Sequence, residues 1–180
     1  MSDHGFARYD KAVSINAALR EAGLLELDTQ GKLKSWQAIV WGSGAVMLNN
    51  PNDTEARDKV RAVLQKLAAD PANGIAKVID NNEAKQMGGF PEAAFVVFVK
   101  PGFTIGGSFE IPILRSTKVG GTHGLWRDWP EMDASFFIAG ERIPKGKVFD
   151  RMDMRDIAPT LAALLGVSLP QAEGRDLFKK

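Results

Sequence analysis

The chain has 180 residues, of which 44% are hydrophobic and 25% are charged. This length predicts one domain, and the composition excludes an intrinsically disordered chain. The 23 basic and 22 acidic residues leave a net charge of +1, which argues against a dedicated nucleic-acid-binding protein, because such proteins carry a basic excess. The lack of cysteine excludes disulfides and cysteine-ligated zinc but leaves the cellular compartment open. No segment approaches the roughly 18 apolar residues of a membrane span, and residues 1–10 are too polar for a signal peptide.

The first third of the chain reads as a helix followed by a hairpin. Apolar spacings of three and four predict a helix over 10–23, which Gly23 ends. Residues 24–34 read as a polar turn region. The apolar runs 36–41 and 45–48, joined by Gly42-Ser43-Gly44, predict two short antiparallel strands.

The second third predicts one long amphipathic helix and one short strand. Asn52 is the expected N-cap, with Glu55 completing a capping box, and Asp70-Pro71 ends the helix. A strand is expected at 75–79 and a helical turn at 83–87. The apolar stripe of the long helix consists of Val60, Val63, Leu64, Leu67 and Ala68.

The last third predicts two buried strands and a terminal helix. The run 93–99 suits a strand covered on both faces, residues 102–131 read as loop, and 134–139 reads as another strand. A helix begins near Asp156 and is capped by Gly166. Its expected buried face consists of Ile157, Leu161, Leu164 and Leu165.

These elements predict an α/β fold in layers, with a largely covered sheet. We expect one domain over 1–180 and a small inserted α+β lobe within 28–90.

The two histidines are the residues most suited to chemistry. His4 lies in Ser2-Asp3-His4-Gly5-Phe6, and His123 lies in Gly120-Gly121-Thr122-His123-Gly124. Neutral imidazole is the commonest metal-ligating side chain, and a flanking glycine permits a backbone conformation that aims the ring at an ion. Asp3 and His4 are consecutive, so their side chains converge only in a loop or at a strand end. The alternative is that each histidine is a hydrogen-bonded loop residue with no ligand.

Three other side chains near His123 are weaker candidates. Trp126 and Trp129 can either line a substrate pocket or simply pack in a loop. Arg127 can either meet a phosphate or lie on the surface.

The segments around both histidines resemble two signature motifs of the type I phosphodiesterase/nucleotide pyrophosphatase family, which belongs to the alkaline phosphatase superfamily. The order of further segments agrees with the resemblance, which is weakest over 28–90. The agreeing segments are NAALREAGLL at 16–25, PEAAFVVFVKPGF at 91–103, MDASFFIAG at 132–140, DIAPTLAALLG at 156–166 and the tail 169–178.

The resemblance implies the C-terminal portion of a layered α/β/α alkaline phosphatase-like domain with a binuclear metal site, usually zinc. Asp3 and His4 match ligands of one ion, and His123 matches a ligand of the other. In the family a threonine or serine attacks phosphorus while the ions activate it and stabilise the phosphoryl oxygens. The implied substrate is a small phosphate ester or a nucleotide.

The chain also departs from the family pattern. The family's nucleophile, two further aspartates and another ligating histidine precede the first motif, and no residue here matches them. We therefore expect the C-terminal part of a longer phosphoric ester hydrolase, or a truncated product, that is inactive alone. Members of the family are often exported, which implies a periplasmic or secreted parent whose signal would lie on the missing part. We also expect self-association through an open sheet edge or an exposed apolar face. The alternatives are a stand-alone non-catalytic binding module, or part of a phosphomonoesterase, phosphonate hydrolase, sulfatase or mutase.

Overall fold

The computed structural model describes residues 1–42 and 44–179. These residues form two compact units, 1–135 and 136–180, of which the first holds every strand found in the described part. The mixed α/β class is confirmed. No helix within the described residues is both long and apolar enough to cross a bilayer.

The first unit begins with a strand where the sequence predicts a helix. β1 spans Ala7–Val13 and α1 spans only Ile15–Glu21. The predicted helix start at residue 10 is wrong because β1 is held by strands on both sides, and this tertiary pairing overrides the local spacing. Gly23, with a φ of 72°, follows the helix as expected.

Three strands form the sheet that contains β1. β8 spans Gly102–Ile105 and pairs parallel with β1, and β9 spans Leu114–Thr122 and pairs antiparallel with it. The prediction of loop over 102–131 is therefore wrong for these two strands. Gly120 and Gly121 of β9 mark the close approach of neighbouring side chains, whereas Gly102 of β8 has a φ of 91°.

A small two-stranded ribbon occupies the predicted turn region. β2 spans Leu25–Leu27 and pairs antiparallel with β3, Leu33–Trp36. Asp28 sits in the connecting turn, where its Oδ1 accepts from the amides of Gln30 and Lys32. The turn is confirmed, whereas its flanking strands were missed because they are short and polar.

The second sheet has four strands in the order β4-β5-β7-β6, and all three pairings are antiparallel. The predicted hairpin is confirmed as β4 and β5, although Ser43 of its turn lies outside the described residues. The central strand β7 is buried on both faces, as predicted, except for half-buried Phe98. The strand bounds are Ala38–Trp41 for β4, Ala45–Leu48 for β5, Ile75–Asp80 for β6 and Phe95–Val99 for β7.

Two helices accompany this sheet: α2 at Thr54–Ala69 and α3 at Asn81–Gln86. The N-cap of α2 is Asp53, whose carboxylate accepts from the amide of Ala56, so the predicted cap at Asn52 is wrong by one residue. The buried residues are Ala56, Val60, Leu64 and Leu67, while Ala68 of the predicted stripe is exposed.

Asn16 joins α1 to the edge of the second sheet. Its buried side chain donates to the Val40 carbonyl at 3.1 Å and accepts from the Val40 amide at 2.8 Å. A side-chain amide therefore takes the place of a neighbouring strand at Val40 and satisfies both backbone groups of that residue at the outer edge of β4.

The second unit contains one α-helix, α4, at Ile157–Leu165. Its start and its Gly166 cap match the prediction, but its buried residues are Ile157, Thr160 and Ala162, and Leu165 is 78% exposed. The Thr160 hydroxyl donates to the Asp156 carbonyl and accepts from the Leu177 amide, which ties the chain end to the helix start.

The predicted strand over 134–139 is absent: these described residues adopt no regular structure.

Candidate metal centre

The two histidine motifs lie at the same end of the first sheet. β1 and β9 run antiparallel, with Ala7 opposite Thr122 and Arg8 opposite Gly121. His4 precedes β1 and His123 follows β9, so antiparallel pairing brings residues 119 positions apart in sequence to one edge. The imidazole centroids are 4.1 Å apart, and the ring planes are inclined by only 19°.

A register shift in this sheet sets which residues meet. Tyr9 stands opposite Gly120, but Lys11 stands opposite Ser116, so β9 carries two extra residues at this bulge. Two residues extend a strand by about 7 Å and leave the direction of alternate side chains unchanged. Continued past the Ala7–Thr122 pair, the shifted register places position 123 opposite Phe6, whereas the register of Lys11 and Ser116 would have placed it opposite His4.

Asp3 and His4 converge in the loop before β1, as the sequence predicts for consecutive ligand residues. His4 Nδ1 donates to the Gly5 carbonyl at 2.7 Å, since a carbonyl only accepts. The neutral ring therefore keeps its lone pair on Nε2, which lies 3.6 Å from Asp3 Oδ2. Two ligands of a tetrahedral zinc ion lie about 3.4 Å apart, so this oxygen and nitrogen fit adjacent positions around one ion.

A hydrogen bond from the second ring nitrogen to a carbonyl is also the usual arrangement of a metal-ligating histidine. It fixes the tautomer and the ring orientation before any ion arrives. The Asp3 carboxylate, by contrast, is largely exposed and can reorient freely.

Gly5 is required for close backbone approach. A Cβ at Gly5 would lie 1.9 Å from the carbonyl oxygen of Glu131. Its φ is not in the left-handed region, so close approach is what requires glycine here, whereas Gly124, which follows His123, has a φ of 78°.

The segment 131–135 crosses the first motif and holds it. The Gly5 amide donates to the Met132 carbonyl at 3.1 Å, and the Ser2 amide donates to the Ser135 carbonyl at 2.9 Å. The Ser135 amide in turn donates to the Ser2 hydroxyl at 2.8 Å. These bonds order a chain segment that would otherwise fray.

Gly120 and Gly121 have no side chain, so the side chains of Tyr9 and Phe6 pack directly against their backbone. A Cβ at Gly120 would lie 2.5 Å from the Tyr9 hydroxyl oxygen and 2.6 Å from the ring carbon that bears it, and a Cβ at Gly121 would lie 2.1 Å from the Phe6 ring. Aromatic side chains of the first motif region therefore lie directly on the strand that carries the second motif.

A cavity of about 210 Å³ adjoins His123. Its size suits a small ligand group, and its wall combines two hydroxyls with apolar side chains. It is lined chiefly by Val99, Thr104, Ile105, Thr122, His123 and Leu125.

The aromatic candidates near His123 are held by packing. The Trp126 ring meets Phe98 edge-on at 5.1 Å, lies 3.9 Å from Lys77 Nζ, and donates its Nε1–H to Asp128. Trp129 packs against the main core. The Arg127 side chain is 70% exposed and lies near Asp128. These contacts favour the packing interpretation for Trp126 and Trp129 and the surface interpretation for Arg127.

Three candidate ligands are therefore present at this end of the sheet: Asp3 and His4 before β1, and His123 after β9. Among the described residues, no three His, Cys, Asp or Glu side chains are grouped closely enough to hold an ion.

A family model for type I phosphodiesterase/nucleotide pyrophosphatase matches residues 1–126, well over half of the chain, and includes both histidine motifs. The chain belongs to this phosphodiesterase family. No significant match was found among curated proteins, and none among solved structures. The phosphodiesterase match supports a relative of the phosphoester hydrolases and, with them, small phosphate esters as the substrate class.

The strands that position the phosphodiesterase motifs were the main features missed from sequence. Alternation in Ala7–Val13 and the β-branched residues of Leu114–Thr122 were the available signals. Both were obscured, the first by helix-like spacings and the second by neighbouring glycine and proline.

Proposed function

We propose that this chain carries part of the binuclear metal site of a phosphoester hydrolase. Asp3 and His4 serve one ion and His123 serves the other, as the family resemblance implies. The observation that carries the proposal is the near-parallel stacking of the two imidazoles at 4.1 Å.

The ring spacing supports a role at two ions rather than one. Ions of a two-metal hydrolytic site lie about 3.5–4 Å apart, which is close to the separation of the two rings. Two near-parallel rings at this distance can each direct a lone pair to a different ion. Bound divalent ions, zinc in our proposal, would stabilise phosphoryl oxygens and lower the pKa of a nucleophile.

The chain's own residues prepare this site. His4 presents Nε2 because Gly5 accepts its other proton, and Asp3 adds a negative charge beside it. The 131–135 segment holds the backbone of both residues in place. The cavity beside His123 gives a phosphate ester space for its non-reacting group.

We infer that further ligands and a threonine or serine nucleophile come from residues outside these 180. Three donors are fewer than a two-metal site requires. The exposed Leu161 and Leu165 of α4 support this inference, because a helix in a layered α/β/α domain buries its apolar face against a sheet. On this view 1–180 is the C-terminal portion of one such domain. Strands β4, β5 and β6 with α2 belong to an inserted lobe within 28–90, and β7, which follows the lobe in sequence, pairs with β5 and β6.

Self-association is part of the same proposal. β6 pairs with β7 along one side only, and a strand edge of this kind is a template for a second chain. Light scattering across a concentration series tests it, and a monomer throughout would contradict it.

Zinc titration by calorimetry tests the ligand assignment. We expect Asp3→Asn, His4→Ala and His123→Ala each to weaken Zn²⁺ binding, whereas Asp58→Asn, at an exposed aspartate of α2, leaves it unchanged. Equal affinities throughout would contradict the assignment. In the longer enzyme, His123→Ala should abolish activity at saturating zinc.

An activity assay tests the inference about the missing nucleophile. The 180-residue chain should not hydrolyse a p-nitrophenyl phosphodiester, with or without zinc. Robust zinc-dependent turnover by this chain would overturn that inference.

A further inference from the structure

Phe6 forms a third ring beside the two imidazoles. Its centroid lies 6.4 Å from that of His4, with the planes inclined by 18°, and 6.0 Å from that of His123, with the planes inclined by 31°. Both separations fall within the range of aromatic ring pairs. Phe6 is thus next to both histidines at once, although they come from different segments.

The Phe6 ring is located by backbone and not by core packing. It is 63% exposed, which is unusual for a phenyl ring with a defined position. The ring packs against the backbone of Gly121, where a Cβ atom would lie only 2.1 Å from Phe6 Cε1. Because the ring buries little area, its contribution to global stability is small.

We propose that Phe6 is a positioning residue that sets the distance between His4 and His123. This inference rests on the proposed metal function and adds a residue that is not itself a ligand. Phe6 is the residue immediately before β1, and its ring packs on Gly121 of β9. It therefore connects the segment that carries His4 to the strand that precedes His123. Without it, each imidazole loses a neighbour that limits its rotation.

Because the chain contains two histidines, NMR gives a direct readout of their geometry. Two imidazole spin systems are expected and can be assigned with His4→Ala and His123→Ala. In the wild-type chain a nuclear Overhauser effect should join the two rings. Phe6→Ala should weaken or abolish it and shift both imidazole signals, while Phe6→Tyr should restore it.

Two further variants separate positioning from folding. Gly121→Ala displaces the ring without changing Phe6, and it should disturb the same imidazole signals. Phe137→Ala removes an 85% exposed phenyl ring from the second unit and serves as the control, with no change expected. Circular dichroism checks that each variant is folded. If Phe6→Ala is unfolded, the same measurements are made on Phe6→Leu and Gly121→Ala instead.

Titration with Zn²⁺ alone gives the second readout. Residues that orient metal ligands typically affect metal affinity by 10–100-fold, so we expect Phe6→Ala to bind roughly tenfold more weakly. An unchanged inter-ring effect together with unchanged affinity overturns the proposal. If the wild-type chain binds no Zn²⁺, the metal function fails, and the inter-ring effect alone decides whether Phe6 positions the rings.

Discussion

The contact between Gly5 and the 131–135 segment yields the sharpest prediction. In Gly5→Ala, the new methyl group would start 1.9 Å from the Glu131 carbonyl oxygen, 2.7 Å from its carbon and 2.9 Å from the Asp133 carbonyl oxygen. Cβ atoms essentially never come within 3.0 Å of such neighbours, so the backbone must retreat by more than 1 Å. No flexible side chain is available to absorb this movement.

That retreat breaks hydrogen bonds of known length. The Gly5–Met132 bond, at 3.1 Å, becomes too long to persist, and the two bonds between Ser2 and Ser135 are strained with it. A hydrogen bond contributes about 0.5–1.5 kcal/mol net, so losing one to three of them costs about 0.5–4.5 kcal/mol. In a chain of this size each kcal/mol lowers the melting temperature by about 2–4 °C.

Thermal unfolding and amide hydrogen exchange measure the effect. We expect a lower melting temperature, faster exchange at Ser2 and Ser135, and weaker Zn²⁺ binding, because the same bonds support Asp3 and His4. Gly107→Ala is the matched control, since its Cβ would meet nothing within 4 Å. Equal stability and equal exchange in Gly5→Ala and the wild type would refute the reasoning.

The remaining predictions concern helix caps, a sheet edge and an ion pair. Asp53→Ala should destabilise the chain by about 0.5–2 kcal/mol in urea unfolding, because it removes the cap of α2, whereas Asn52→Ala should be nearly neutral. Asn16→Leu should cost about 2–4 kcal/mol by the same assay, because it leaves a buried amide and a buried carbonyl of β4 without partners. The hydrogen bond from Arg155 lowers the pKa of Asp153 to about 2, so its stabilising effect is present above the ordinary pKa near 4 and is lost as the pH falls through about 2. Arg155→Gln should raise the Asp153 pKa in a carboxyl NMR titration.

Each of these predictions has a contradicting result. If Asn52→Ala lowers the free energy of unfolding more than Asp53→Ala does, then Asn52 is the N-cap of α2, as the sequence indicates. Wild-type stability in Asn16→Leu would mean that water satisfies the edge of β4. A pKa of Asp153 that is unmoved by Arg155→Gln would mean that this arginine is not its cause.

Several elements could be predicted because their signals are local. The helix α2, the strand β7 and the start of α4 each combine a hydrophobic pattern with a capping or breaking residue close by in sequence. The apolar run of β7 also indicated its burial on both faces, which the structure confirms.

Other elements could not be predicted because their signals lie far away in the chain. β1 carries helix-like spacings, and it is a strand because β8 and β9, about 100 residues later, pair with both of its edges. The reverse error occurred at 134–139, where an apolar run finds no strand partner. Local pattern alone cannot distinguish these cases, since strand formation depends on a neighbour.

The sequence by itself determined which residue types are available for chemistry: two imidazoles, each flanked by glycine, and one adjacent carboxylate. Only the tertiary structure decided that the imidazoles stack at 4.1 Å, because this distance depends on the β1–β9 register, a two-residue bulge and the close approach of backbone at Gly5 and Gly121. Register and approach distance are properties of paired segments, and no single segment encodes them.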